Sequence, residues 1–220
     1  MEVRRTSLIA GARTATGTAV VIDVFRAFTT AAFCVAAGAR EVVLLADHAH
    51  ALAMKAADPS LFLTGEIEGR PIPGFDAGNS PSVIQHLDLS GRRVAQRTSA
   101  GTQGVVAATA ARRIVLGSLV IAGATLRHVR AVGGDVTLVA MGTNDIEEAD
   151  EDLACALYME QQLLTGVAPL PVIRLLGDEG RWPEWFPRED ALLATQVDRF
   201  DFALPVTRED GLLIARPVTV

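Results

Sequence analysis

The chain has 220 residues, with 20 Lys+Arg against 26 Asp+Glu and a formal net charge of −6. Half of the residues are hydrophobic, enough for one large core, and the acidic balance argues against nucleic acid as the main partner. Lys55 is the only lysine, which excludes a Walker-type phosphate cradle and leaves no good Schiff-base lysine.

The start, Met1-Glu2-Val3-Arg4-Arg5-Thr6, carries no secretory apolar region, and no apolar run reaches the roughly 20 residues that span a bilayer. The expectation is a cytoplasmic protein without a membrane partner. Short β-branched runs then alternate with Ala-rich stretches. The pattern predicts strands at 19–23, 41–45, 61–65, 93–97, 113–117 and 135–140. It predicts helices at 27–37, 47–57, 80–87, 101–111, 121–132 and 149–164. Asp47 and the Asn79-Ser80-Pro81 run read as helix N-caps. This alternation predicts an α/β fold with three α/β/α layers and a mainly parallel sheet.

The stretch 40–44 parallels 112–116, an offset of 72 residues. Two duplicated half-domains, 1–90 and 91–170, account for it, as does chance likeness of two Ala-rich units. In the duplicated arrangement the loops after Asp23 and Arg97 face one cleft. Beyond them, a short helix at 190–197 and strands at 198–205 and 211–220 are expected as a C-terminal cap or edge pair over 171–220. The whole is expected to form one compact domain. Trp182, Trp185 and Phe186 form an aromatic cluster that suits a homodimer interface, core packing or a cover over the cleft. Cys34 and Cys155 read as small buried hydrophobes, and the four histidines as structural or solvated.

Ligands of open α/β sheets bind beyond the carboxyl ends of the strands, and four such loops carry chemistry. Val21-Ile22-Asp23-Val24-Phe25-Arg26-Ala27 puts an acid at a strand tip and an arginine at a helix start. The acid can bind a metal, attack phosphorus or accept a proton, and an Asp23–Arg26 ion pair is the plainer reading. The loop from Thr64 to Pro81 carries Glu66, Glu68, Asp76 and Arg70. Its acids suit a hard oxygen-ligated cation such as magnesium, and Asn79 with Ser80 forms an anion seat. Arg97-Thr98-Ser99-Ala100-Gly101-Thr102 offers hydroxyls and close backbone approach to a phosphate. Finally, an acid-rich run ends in Glu151 and Asp152 at a helix start, where the macrodipole favours negative charge. No Gly-x-Gly-x-x-Gly or Gly-x-Ser-x-Gly occurs, which argues against dinucleotide and hydrolase-elbow chemistry.

Together these loops resemble the magnesium-dependent 2-phosphosulfolactate phosphatases of the coenzyme M pathway. The resemblance rests on Val21 to Ala27, Gly65-Glu66, Gly74-Phe75-Asp76-Ala77-Gly78-Asn79-Ser80-Pro81, Thr98 to Thr102, Gly117-Ser118, and Glu151-Asp152-Leu153-Ala154-Cys155-Ala156. The chain departs from the family pattern at Phe25, Ala100 and Leu157. The resemblance implies magnesium-dependent hydrolysis of a small phosphorylated anionic substrate. It implies Asp23 and Arg26 as catalytic residues, with Arg26, Asn79, Ser80, Ser99, Gly101 and Thr102 on the phosphate and substrate. Glu66, Asp76 and Asp152 are then the metal ligands. A non-catalytic anion-binding relative, or a phosphatase for another hydroxy acid, fits the same residues.

Overall fold

The computed structural model describes residues 1–143, 146–167 and 186–219. Among the described residues, eleven strands form one sheet. In chain order they are β1 (Val3–Ser7), β2 (Thr18–Ile22), β3 (Glu41–Leu45), β4 (Phe62–Ile67), β5 (Arg70–Pro71), β6 (Ala77–Gly78), β7 (Arg93–Arg97), β8 (Arg113–Gly117), β9 (Val136–Ala140), β10 (Leu204–Glu209) and β11 (Leu212–Ala215). The helices are α1 (Leu8–Thr14), α2 (Ala27–Ala36), α3 (His48–Ala57), α4 (Pro81–Ile84), α5 (Gly101–Ala107), α6 (Ala122–Val132), α7 (Asp150–Thr165) and α8 (Arg188–Ala194).

The sheet runs β1-β9-β2-β8-β10-β11-β3-β7-β4-β5, with β6 on β4. Alternation along the strands builds the layers. Val21 faces the core shared with α2 and α5, while Val20 and Ile22 face the opposite core under α6 and α7. Likewise Val42 and Leu44 join the first core, and Val43 and Leu45 pack on the side of α3. Both faces are therefore covered, and β2, β3 and β9 read as nearly continuous apolar runs, as buried parallel strands do. Asp47 caps α3 as expected, accepting from the Ala49 N–H at 2.9 Å. Cys34 and Cys155 are buried free thiols. Among the described residues no helix is long and apolar enough to cross a membrane.

Two parts depart from expectation. The chain start forms β1 and α1, which carry little apolar periodicity because β1 is an edge strand with exposed Arg4 and Arg5. The C-terminal strands do pair, but they are not an edge. They insert between β8 and β3, each antiparallel to its neighbour. Leu204, Ile214 and Ala215 are at most 2% exposed there, so the apolar start of β10 and the apolar β11 pack in the sheet interior while Thr207 to Glu209 stay exposed. Trp182 and Trp185 lie outside the described residues.

The hairpin divides the sheet into two parallel blocks, β1-β9-β2-β8 and β3-β7-β4. Three antiparallel steps separate them, so the blocks run in opposite senses. Strand twist of about 20–25° per step turns one block against the other, and the loops after β2, β4, β7 and β9 line one cavity. The copies of the offset-72 pattern, β3 and β8, occupy matching places on either side of the hairpin.

Central placement has a measurable consequence. Ile214→Ala is expected to cost about 2–5 kcal/mol, as for a large buried aliphatic side chain, measured by urea denaturation. A cost under about 1 kcal/mol is what a solvent-washed edge strand gives.

Candidate active site

The cavity is lined by Asp23, Phe25, Arg26, Glu66, Glu68, Gly69, Asn79, Ser99, Ala100, Gly142, Thr143 and Phe186, and encloses about 130 Å³. That is below the roughly 300–1,000 Å³ of sites for drug-sized ligands, and suits a small one. Three of its lining residues are acids, and among the described residues Arg26 is its single cation.

Asp23 follows β2 directly and is 4% exposed. Its Oδ1 accepts from the Ala27 N–H at 2.8 Å, and the Gly101 N–H also donates to its carboxylate. Burial pushes its carboxyl up to about 7; the Ala27 amide works against the shift, and the charges of Glu66 and Glu151 add to it. Gly101 has to be glycine for this approach. A Cβ there would lie 2.7 Å from Asp23 Oδ2 and 2.7 Å from the Ala27 Cβ, closer than real contacts allow.

Glu66, next to last in β4, ties the neighbouring loops together. Its Oε1 accepts from the Ser99 N–H at 2.6 Å, and its Oε2 from the Gly69 N–H at 2.6 Å and the Ser99 hydroxyl at 3.1 Å. Arg97 supports this corner from behind, donating to the Glu66 carbonyl at 2.9 Å and to the Ala46 carbonyl at 3.1 Å. It is thus engaged with backbone and does not line the cavity. Arg70 is exposed on β5 and is likewise absent from the lining.

Asp152, in the first turn of α7, is 2% exposed. The Val24 N–H donates to its Oδ1 at 2.7 Å and the Gly142 N–H to its Oδ2 at 2.9 Å. It therefore fastens the loop after β2 to the loop after β9. Burial raises its carboxyl well above the usual carboxylate range, with Asp23 and Glu151 adding repulsion. Gly142 sits at φ +66°, and a Cβ there would meet the Glu147 carbonyl oxygen at 2.2 Å.

On the opposite wall, Arg26 Nη1 donates to Asp190 Oδ2 at 2.7 Å, and its guanidinium lies 4.8 Å from the Phe186 ring centre. Phe186 in turn meets Phe25 edge-on at 5.7 Å, so one member of the expected aromatic cluster does cover the cleft. Asn79 accepts a long bond from Gln96 Nε2 at 3.4 Å, and the same nitrogen donates to the Ala27 carbonyl at 2.7 Å.

The structure brings together Asp23, Arg26, Glu66, Asn79 and Ser99 around the cavity, with Gly101 and Asp152 directly behind. The structure places four expected features otherwise. Asp76 does not join Glu66 and Asp152; it pairs with Lys55 and accepts from the Leu63 N–H at 2.7 Å, away from the lining. The Leu63 amide of β4 and the one lysine together hold it there. Ser80 is not a free anion seat, because its hydroxyl donates to Asp190 at 2.8 Å. Thr102 is fully buried, its hydroxyl bonded to the Thr98 carbonyl at 3.0 Å, so it shapes the loop from inside. An Asp23–Arg26 ion pair does not form, since Arg26 turns to Asp190. Asp190 and Gln96 were missed, because a short charged helix and a strand interior offered no signal; Phe186 stood out only as one of an aromatic cluster.

Among the described residues no three His, Cys, Asp or Glu side chains converge on one point as a ready metal cage. Magnesium does not demand one. It keeps several waters and takes one or two carboxylates together with substrate oxygens. The donor set fits such an ion, being all oxygen and carrying excess negative charge around Asp23 and Glu66.

Fold and cleft together define an α/β protein that gathers carboxylates and backbone amides where the carboxyl ends of two parallel blocks meet. Residues 5–180 match the family described as 2-phosphosulpholactate phosphatase, and the chain belongs to that family. A relative from Deinococcus radiodurans is 40% identical over 150 residues, covering 67% of this chain and 62% of that protein. One from Bacillus subtilis is 32% identical over 142 residues, covering 64% and 61%. One from Carboxydothermus hydrogenoformans is 36% identical over 140 residues, covering 64% and 58%. All three bear the name probable 2-phosphosulfolactate phosphatase. The chain spans about three fifths of the length of these curated relatives.

The buried acids make stability depend on pH. A carboxyl whose folded-state value rises from 3.8 to about 7 binds more protons folded than unfolded. Its contribution is full below about 4 and is lost as pH rises through about 7. In EDTA the melting temperature is therefore expected to fall between pH 5 and pH 8, and less steeply in Asp23→Asn. Equal slopes in the two proteins would contradict the assignment.

Proposed function

We propose that the protein is a magnesium-dependent phosphatase that hydrolyses a small phosphorylated hydroxy acid, 2-phosphosulfolactate, to sulfolactate and phosphate. The observation that carries this reading is Asp23. It is a buried strand-tip carboxyl held by two backbone amides inside an acidic cleft of the right size, in a chain of this family.

The residues divide the work. Glu66 and Asp23 would hold the cation, while Asp152 stays behind as the anchor of both loops. When bound, magnesium offsets charge on the transferring phosphoryl group. Asp23 serves the reacting phosphorus or its attacking water, its carboxyl being tuned toward neutral pH. Ala100, through its backbone N–H, and Asn79 receive phosphate oxygens, while the Ser99 and Gly101 amides hold Glu66 and Asp23 in place. Arg26 presents its remaining N–H groups to a second anionic group of the substrate, for which its planar fork is suited. Phe25 and Phe186 keep water from that wall.

Phosphate release from 2-phosphosulfolactate is expected with magnesium and not in EDTA. Asp23→Asn is expected to lower kcat by about a hundredfold or more. Full turnover in EDTA, or an unimpaired Asp23→Asn, would remove the corresponding role. Glu66→Gln is expected to raise the magnesium concentration for half-maximal rate about tenfold, and Asp76→Asn to leave it unchanged. The reverse ranking would restore Asp76 as a ligand.

A further inference from the structure

We infer that Asp190 is a positioning residue for the anion wall of this cleft. It acts through Arg26 and couples the C-terminal part of the chain to substrate binding. The inference rests on the phosphatase reading only for the identity of the substrate.

Asp190 lies in α8, beyond the stretch that matches the family, which ends at residue 180. It is completely buried. Its carboxylate accepts from Arg26 Nη1 at 2.7 Å, the Ser80 hydroxyl at 2.8 Å and the Ser82 N–H at 2.9 Å. The Arg26 side chain is itself only 9% exposed. The acid therefore joins two loops that each supply a cavity-lining residue, Arg26 after β2 and Asn79 just before Ser80.

A guanidinium has five N–H groups in a fixed plane. Asp190 takes one edge of that plane, and the Phe186 ring lies 4.8 Å from its centre. Edge and face are both set, so the orientation of the remaining N–H groups is fixed before any ligand arrives. Preorganisation of this kind lowers the ordering cost of binding. Alone, Arg26 would be a flexible cation in a cleft full of carboxylates, free to pair with Asp23 or Glu66. The buried partner on the far side prevents that collapse and keeps the acids available for a metal ion.

The test measures affinity for inorganic phosphate in magnesium by calorimetry, beside KM and kcat for 2-phosphosulfolactate, in a double-mutant cycle. Asp190→Asn is expected to weaken phosphate binding and raise KM about tenfold, with kcat within about threefold. Asp190→Glu is expected to recover part of the loss. On an Arg26→Gln background, Asp190→Asn is expected to add nothing, because its effect runs through the arginine. If Asp190→Asn alone does not fold, the comparison of Arg26→Gln with the double variant, which lacks an unpaired buried charge, decides the matter. Unchanged phosphate affinity in folded Asp190→Asn, or a further loss on the Arg26→Gln background, would overturn the inference. So would absence of phosphate binding by the wild type. Wild-type phosphate binding without turnover of 2-phosphosulfolactate would sink the substrate reading and leave the role of Asp190 standing.

Discussion

Negative charge held away from water is the constraint on which this structure turns. Asp23, Glu66 and Asp152 are each less than a tenth exposed, and burying a carboxylate is costly unless something compensates. Here the compensation is mostly backbone. The amides of Ala27, Gly101, Gly69, Ser99, Val24 and Gly142 all point at these three side chains. Amides stabilise the charge only in part, and Asp23 and Asp152 remain reluctant acids. That residual frustration is what a divalent cation would relieve, and it marks the cleft as functional more firmly than any single residue does.

The fold follows from the need to bring those amides together. They come from loops of both parallel blocks, which the central hairpin β10–β11 holds side by side. The last segment of the chain therefore completes the sheet, and through Asp190 it also completes the wall of the cleft. The two tasks share one segment, so changes near the C-terminus reach both stability and binding. Arg26 gains most from this arrangement. Its pairing outside the cleft keeps the one cation of the described lining from neutralising the acids.

Much of this was legible in the sequence. The strands 41–45, 93–97 and 113–117 match β3, β7 and β8, because each has a short apolar centre between clear turn signals. Asp23, Glu66 and Ser99 were visible as strand-tip residues, since position in an α/β unit alone places them near ligand. What stayed hidden depends on long-range pairing. Nothing local says that Asp190 meets Arg26 across 164 residues, or that Asp76 meets Lys55 instead of Glu66. The hairpin was expected as a cap or edge pair, because nothing local shows which strands flank it on either side. The edge strand β1 was missed for the opposite reason, having a polar face and little pattern.

The most direct measurement is carbon NMR of carboxyl-labelled aspartate, followed through pH in EDTA and again in magnesium. The account predicts a resonance that titrates near pH 7 in EDTA, is absent from Asp23→Asn, and moves to clearly lower pH when magnesium is added. Titration of every aspartate below about pH 5, unchanged by magnesium, would contradict it.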